Sequence, residues 1–353
     1  MTNELYPLLL ERKIVQPIWG GQRLAAWLDL PEPRPDKLGE TWQVYDTNPI
    51  RNGPLAGHTL ADATKTYGAA LVGTRTTERY GDDFPLLAKF IDANDKLSIQ
   101  VHPNDEYAHT REAATGFHGK TEAWYILDAE PGATVTYGLS RPSSREEFAN
   151  AIWNSELESL MRQIPIQPGD VVFVPAGTLH AINAGIVLFE IQQKSDLTYR
   201  VYDYGRLDAK TGQPRELHLE KALDVSEFGP APRDTISPLT LSDGRDLLIA
   251  CPYFALERWT FTGEQTLTTD PGSFEILTVI EGRGQLGWEK DAVPLQRGDS
   301  IVLPALLGQC RMQALEGPLR LLRAHVPDLT HDYIAPLRAQ GIADARIAEV
   351  VHQ

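Results

Sequence analysis

Between Leu97 and Glu122 the chain reads LSIQVHPND…GKTE, and a later PAGTLHAI adds His180. These segments have strand character, and alternate residues of a strand share a face. Gln100 and His102 therefore look the same way, as do Lys120 and Glu122. Two imidazoles, one carboxylate and one amide oxygen suit a borderline divalent cation such as Zn2+. A lysine beside such a set exceeds what structure requires, so the group reads as an active site. Glu190 lies inside the apolar run VLFEIQQ, where an inward carboxylate is costly unless paired or linked to a metal. His109 and His118 fall in a helix-like segment and just beyond it; such exposed imidazoles are ordinarily solvated, and both stay outside the set.

The elements that must position these residues follow from pattern. FPLLAKFIDA and LSIQVH are strand-like runs separated by the turn-prone pair Asn94 and Asp95. NDEYAHTREAATG predicts a short helix with Asn104 as N-cap and Gly116 as stop. TLADATKTYGAALVG has helical composition and ends at Gly73. Ser144 and Glu147 form a capping-box signature that opens a helix through EEFANAIWNSELESLMRQI, an insertion between strands near 143–163. The second half repeats the first weakly: PGDVVFVPAGTLH matches RGDSIVLPALLGQ, and TEAWYILDAEPGA matches FEILTVIEGRGQL. His180 falls opposite Gln309 and no histidine lies between His218 and His325, which implies one metal centre rather than two. The expectation is a mainly β protein of duplicated barrels with a small helical insertion. Residues 1–225 would form the barrel carrying the metal site, 210–245 the crossing, and 240–353 a degenerate barrel without metal ligands.

Composition narrows the classes. A chain of 353 residues with 42% hydrophobic content can bury more than one core. Its formal charge of −15 and its lack of any basic run argue against nucleic acid as a partner. Cys251 and Cys310 are too few and too far apart for a disulfide framework, and free thiols fit a reducing compartment. The amino-terminal apolar patch is too short for a signal core and is interrupted by Glu4, and no run reaches membrane-spanning length. A soluble cytoplasmic protein without membrane partners is expected.

The motifs LSIQVHPND, GKTEAWYIL, PGDVVFVPAGTLHAI and FEIQQKSDLTYRVYDYGR, followed by RELH, resemble those of type I mannose-6-phosphate isomerases, as do FPLLAKFIDA and GETWQVYD. The resemblance runs from about residue 7 to 225, is looser beyond, and is to the shorter bacterial form. It implies a cupin-type double barrel with one zinc ion, and an enzyme that interconverts mannose 6-phosphate and fructose 6-phosphate. By resemblance Gln100, His102, Glu122 and His180 bind the metal, with Gln100 replaceable by water. Arg200 of TYRVYDY takes the family's catalytic arginine position, Lys120 and Ser98 match positions near the substrate, and Glu190 matches an acidic residue near the metal.

Such an isomerisation moves a proton between adjacent carbons through an enediol with charge developing on oxygen. A guanidinium stays protonated, so Arg200 would stabilise charge or clamp phosphate rather than act as base. The base is left between Glu190, whose carboxyl a dry pocket can raise, and Lys120, whose ammonium a nearby cation can deprotonate. Lys120 is slightly favoured. Two rivals share the scaffold. A non-haem iron oxygenase would also use two histidines and a carboxylate but has no task for Lys120 or Arg200. A silent sugar-binding protein would be expected to have lost ligands or Arg200 first.

Overall fold

The computed structural model describes residues 5–154, 156–208, 211–230, 234–241, 244–289 and 291–353. The chain divides into two compact units: 1–13, 42–88 and 237–353 form one, and 14–41 and 89–236 the other. Residues 42–88 thus group with the C-terminal segment. The physical reason is a run of short helices, Leu60–Tyr67, Ala69–Val72 and Thr74–Tyr80, punctuated by Gly68, Gly73 and Gly81 at positive φ. The second of them bonds to segments flanking the C-terminal strands Glu275–Glu281 and Ser300–Leu303: Phe274 N–H reaches Val72 O at 3.1 Å and Ala305 N–H reaches Leu71 O at 2.9 Å. A single helix ending at Gly73 is what the sequence suggests; Gly68 breaks it into two.

Two sheets drawn mainly from the second unit face each other. One runs Tyr199–Tyr202, Ile99–Val101, His180–Ile182, Thr134–Leu139, Met161–Pro165. The other runs Lys13–Val15, Glu40–Val44, Leu86–Ala93, Ile186–Gln193, Glu122–Ala129, Val171–Val174. Their inner faces share one core in which Val135, Tyr137, Ile164 and Ile182 meet Ile91, Trp124, Ile126, Val174 and Leu188. On the outer face of the first sheet, Ile99, Val101, Leu179, Ala181, Tyr199 and Val201 pack on Phe148, Leu157, Ala222 and Leu223 from helices Arg145–Trp153, Leu157–Leu160 and Leu219–Val225. Period-two alternation then leaves Gln100, His180 and Arg200 pointing the other way. The helix expected through residue 164 stops earlier, because Met161–Pro165 joins the sheet and buries Met161 and Ile164. Ser144 caps the insertion's first helix by accepting from Glu147 N–H at 3.0 Å, while the Glu147 carboxylate turns to Arg141 and Ser143 instead of closing a capping box.

The first unit repeats the scheme with a seven-stranded sheet and a four-stranded sheet among the described residues. The duplication is exact in register. Glu122 pairs with Val174 and Gln192; Glu275, its counterpart in the sequence repeat, pairs with Leu303 and His325. No helix among the described residues is long and apolar enough to cross a membrane.

Candidate active site

Three strands and one loop supply the centre. Ile99–Val101 and its extension carry Gln100 and His102, Glu122–Ala129 opens on Glu122, and His180–Ile182 opens on His180. Gln100 is the direct cross-strand partner of both His180 and Arg200, which aligns the three side chains on one face. The GKTE loop reaches the centre because Gly119 lies against the backbone of Asn104 and Asp105, where a Cβ would come within 2.5 Å of main-chain atoms. Lys120 N–H then bonds Pro103 O at 2.9 Å, and Thr121 N–H bonds the Gln193 side chain at 2.9 Å.

His102, Glu122 and His180 are all buried and can each present a donor atom within 4.8 Å of the others. His180 Nε2 is 3.2 Å from Glu122 Oε1, and His102 Nε2 is 3.6 Å from Oε2. Each ring's other nitrogen faces a carbonyl, His102 Nδ1 to Leu197 O at 3.0 Å and His180 Nδ1 to Thr178 O at 2.8 Å. Donation of Nδ1–H to those carbonyls assigns the lone pair to Nε2 in both rings, the tautomer that metal-binding histidines adopt. Gln100 Nε2 lies 3.4 Å from His180 Nε2, and Trp124 stands edge-on to His180 with ring centroids 5.6 Å apart. Burial holds His102 well below its ordinary range, with the Lys120 charge adding to that effect. Burial alone would raise Glu122, but Lys120 and the two imidazoles outweigh it and keep the carboxyl well below its usual value. A carboxylate flanked by the Nε2 atoms of two imidazoles is the donor set of a Zn2+ site, so the residues fit such an ion.

Lys120 Nζ is 2.9 Å from Glu122 Oε2 and 3.1 Å from His102 Nε2, which puts it at the centre itself. Glu190 is held on both oxygens, by Lys89 Nζ at 2.9 Å and by Trp124 Nε1 at 2.9 Å. Burial and then the charge of Glu122 push Glu190 up, while Lys89 opposes them. Lys89 also lies 3.5 Å from Glu40; burial would lower its ammonium, yet the two carboxylates hold it above its ordinary value. Sequence reasoning missed Lys89. Its signal was a lone lysine inside FPLLAKFIDA, a strand buried along its whole length, where a charge must be paired. Arg200 donates from Nε to Ser98 Oγ at 3.3 Å and from Nη1 to Glu216 O at 2.9 Å. Asp203 next to it binds Arg206 at 2.6 Å and Arg215 at 2.5 Å, so the acidic chain gathers three guanidiniums on this side. Burial first, and Arg215 second, lower the Arg200 guanidinium from its usual value.

A mainly β chain of duplicated cupin-type sheets, with a His–Glu–His cluster beside a lysine, has the architecture of a cupin enzyme and a donor set that could hold a metal ion. Residues 8–136 match the family described as phosphomannose isomerase type I, catalytic domain, and 245–326 match the mannose-6-phosphate isomerase cupin domain. The chain is 38% identical to mannose-6-phosphate isomerase ManA of Bacillus subtilis over 333 residues, covering 92% of this chain and 100% of that protein. It is 32% identical to mannose-6-phosphate isomerase of Streptococcus mutans, covering 90% and 98%. Among solved structures, mannose 6-phosphate isomerase from Bacillus subtilis superposes with a TM-score of 0.81 at 35% identity, covering 91% and 100%. A zinc-bound holo mannose 6-phosphate isomerase shares the fold with a TM-score of 0.74 at 18% identity, covering 91% and 100%. The chain belongs to the type I phosphomannose isomerase family.

Proposed function

We propose that this chain interconverts mannose 6-phosphate and fructose 6-phosphate as a zinc-dependent aldose–ketose isomerase, with one ion at the catalytic centre of each chain. The observation that carries this reading is the buried Glu122 carboxylate between the Nε2 atoms of His102 and His180, with Lys120 in contact with it. His102, Glu122 and His180 would hold the ion, and Gln100 would turn its amide oxygen towards it or yield to water. When bound, the ion supplies Lewis-acid stabilisation of charge on the sugar oxygens.

The remaining steps fall to the chain. Lys120 carries the proton between C1 and C2, because it stands at the centre while both Glu190 oxygens are engaged by Lys89 and Trp124. Glu190 fixes Lys89 and, through Trp124, the ring of His180. Arg200, aligned with Gln100, stabilises the enediol's negative oxygen, and Ser98 holds the guanidinium in place and helps seat the substrate. Arg206 and Arg215, clamped by Asp203, add positive field for the phosphate. Buried free thiols at Cys251 and Cys310 and a phosphosugar substrate support a cytoplasmic setting. The test is a coupled assay with mannose 6-phosphate on protein of measured zinc content. Isomerisation that follows zinc occupancy is expected, and holo protein inert towards mannose 6-phosphate would refute the reading.

A further inference from the structure

We propose that Asp105, His109 and His118 form a second, solvent-facing site for a borderline divalent cation, separate from the catalytic centre. Asp105 and His109 are four residues apart on the helix Asp105–Arg111 and therefore share a face. His118 arrives on the loop leading into Lys120. One donor atom from each residue lies within 4.8 Å of the other two. His109 Nε2 and His118 Nδ1 are 3.0 Å apart, with the rings nearly perpendicular at 81°. Zinc–nitrogen bonds of about 2.0–2.1 Å place tetrahedral donors roughly 3.3 Å apart. The two imidazoles therefore need to open by only a few tenths of an ångström, and exposed His109 is free to do so. Asp105 is already fixed, its Oδ1 accepting from Gly119 N–H and from Gln193 Nε2, each at 2.9 Å, which holds the carboxylate beside the two imidazoles. Two imidazoles and a carboxylate select Zn2+, Ni2+ or Cu2+ over Mg2+ or Ca2+. Occupation ties the helix to the loop at Gly119, immediately before Lys120.

The experiment titrates Zn2+ by calorimetry into holo protein already carrying one equivalent, in parallel with His109→Gln and His118→Gln. Wild type takes up a second, weaker equivalent; both variants lose it, keep the first equivalent and retain wild-type isomerase activity. His109→Gln lies on an exposed helix face and carries the test alone should His118→Gln fail to fold. Absence of a second equivalent in wild type overturns the proposal, as does a second equivalent that survives His109→Gln. The catalytic reading is scored separately by the activity and first-equivalent zinc of the same samples.

Discussion

Arg200, proposed to stabilise developing charge, offers the substitution that separates that role from metal holding. Its guanidinium bonds Ser98 and Glu216 rather than the His–Glu–His centre, so Arg200→Ala should leave zinc content intact. Turnover should fall by about two to three orders of magnitude, the usual cost of one transition-state donor; steady-state kinetics beside metal analysis checks both halves, and near-normal turnover would remove the role. Lys89 makes a different prediction. Lys89→Met leaves the buried Glu190 carboxylate without its cation, and a broken buried pair costs about 3–5 kcal/mol. A loss of unfolding free energy below about 1 kcal/mol in urea titrations would show that Glu190 finds another partner. At this scale the sequence reveals residues whose neighbours in space are also close in strand phase. Gln100 with His102, and Lys120 with Glu122, follow from a period of two. The pairing of His109 with His118 does not, because it depends on a loop that folds back over a helix N-terminus at Gly119.

The strands bearing the site are short, Ile99–Val101 and His180–Ile182 each spanning three residues, so their position depends on what lies behind them. Phe148 is fully buried among Ile99, Val101, Leu179 and Ala181. Phe148→Ala should cost about 3–5 kcal/mol and loosen the side of the sheet opposite His180, weakening zinc retention without removing a ligand. Unchanged stability and unchanged zinc affinity would show that the helical insertion does not brace the site. Asn104 and Ser144 were legible as caps because a polar residue before a helical run has few other uses, and both accept the expected backbone N–H. The end of the insertion was less legible. Met161 to Pro165 has a composition that suits helix or strand, and pairing with Thr134–Leu139 decides it. Propensity within a segment cannot register a partner strand more than twenty residues away.

Across the whole chain, the duplicated sheets place Glu275 at the register position of Glu122, but a guanidinium lies against it. Arg323 forks onto Glu275 at 2.8 and 2.9 Å and reaches Glu257 at 3.1 Å, while Arg245 holds the other Glu257 oxygen at 2.8 Å. Where the site-bearing unit runs Glu40, Lys89, Glu190, its duplicate runs Arg245, Glu257, Arg323, the same chain of charges with signs reversed. The repeated Gly-Asp turns made the duplication readable in sequence; the reversal was not, since the strands carrying these charges lie outside the two segments that visibly repeat. Burial would raise Glu257, yet Arg323 and Arg245 bring it down to about 2 from an ordinary 4.5. Because the folded value is depressed, this stabilisation is complete above about pH 4.5 and is lost as pH falls towards 2; it amounts to roughly 3 kcal/mol. Urea midpoints across that window should decline in wild type and decline less in Glu257→Gln; parallel declines would assign the acid sensitivity elsewhere. One assay tests most directly whether a metal at this centre is needed to isomerise a phosphosugar. Protein stripped of metal by a chelator, verified as apo, is compared with the same protein reloaded with one equivalent of zinc, using mannose 6-phosphate as substrate. Activity absent from the first and restored in the second is the predicted result; full activity in the apo protein would contradict it.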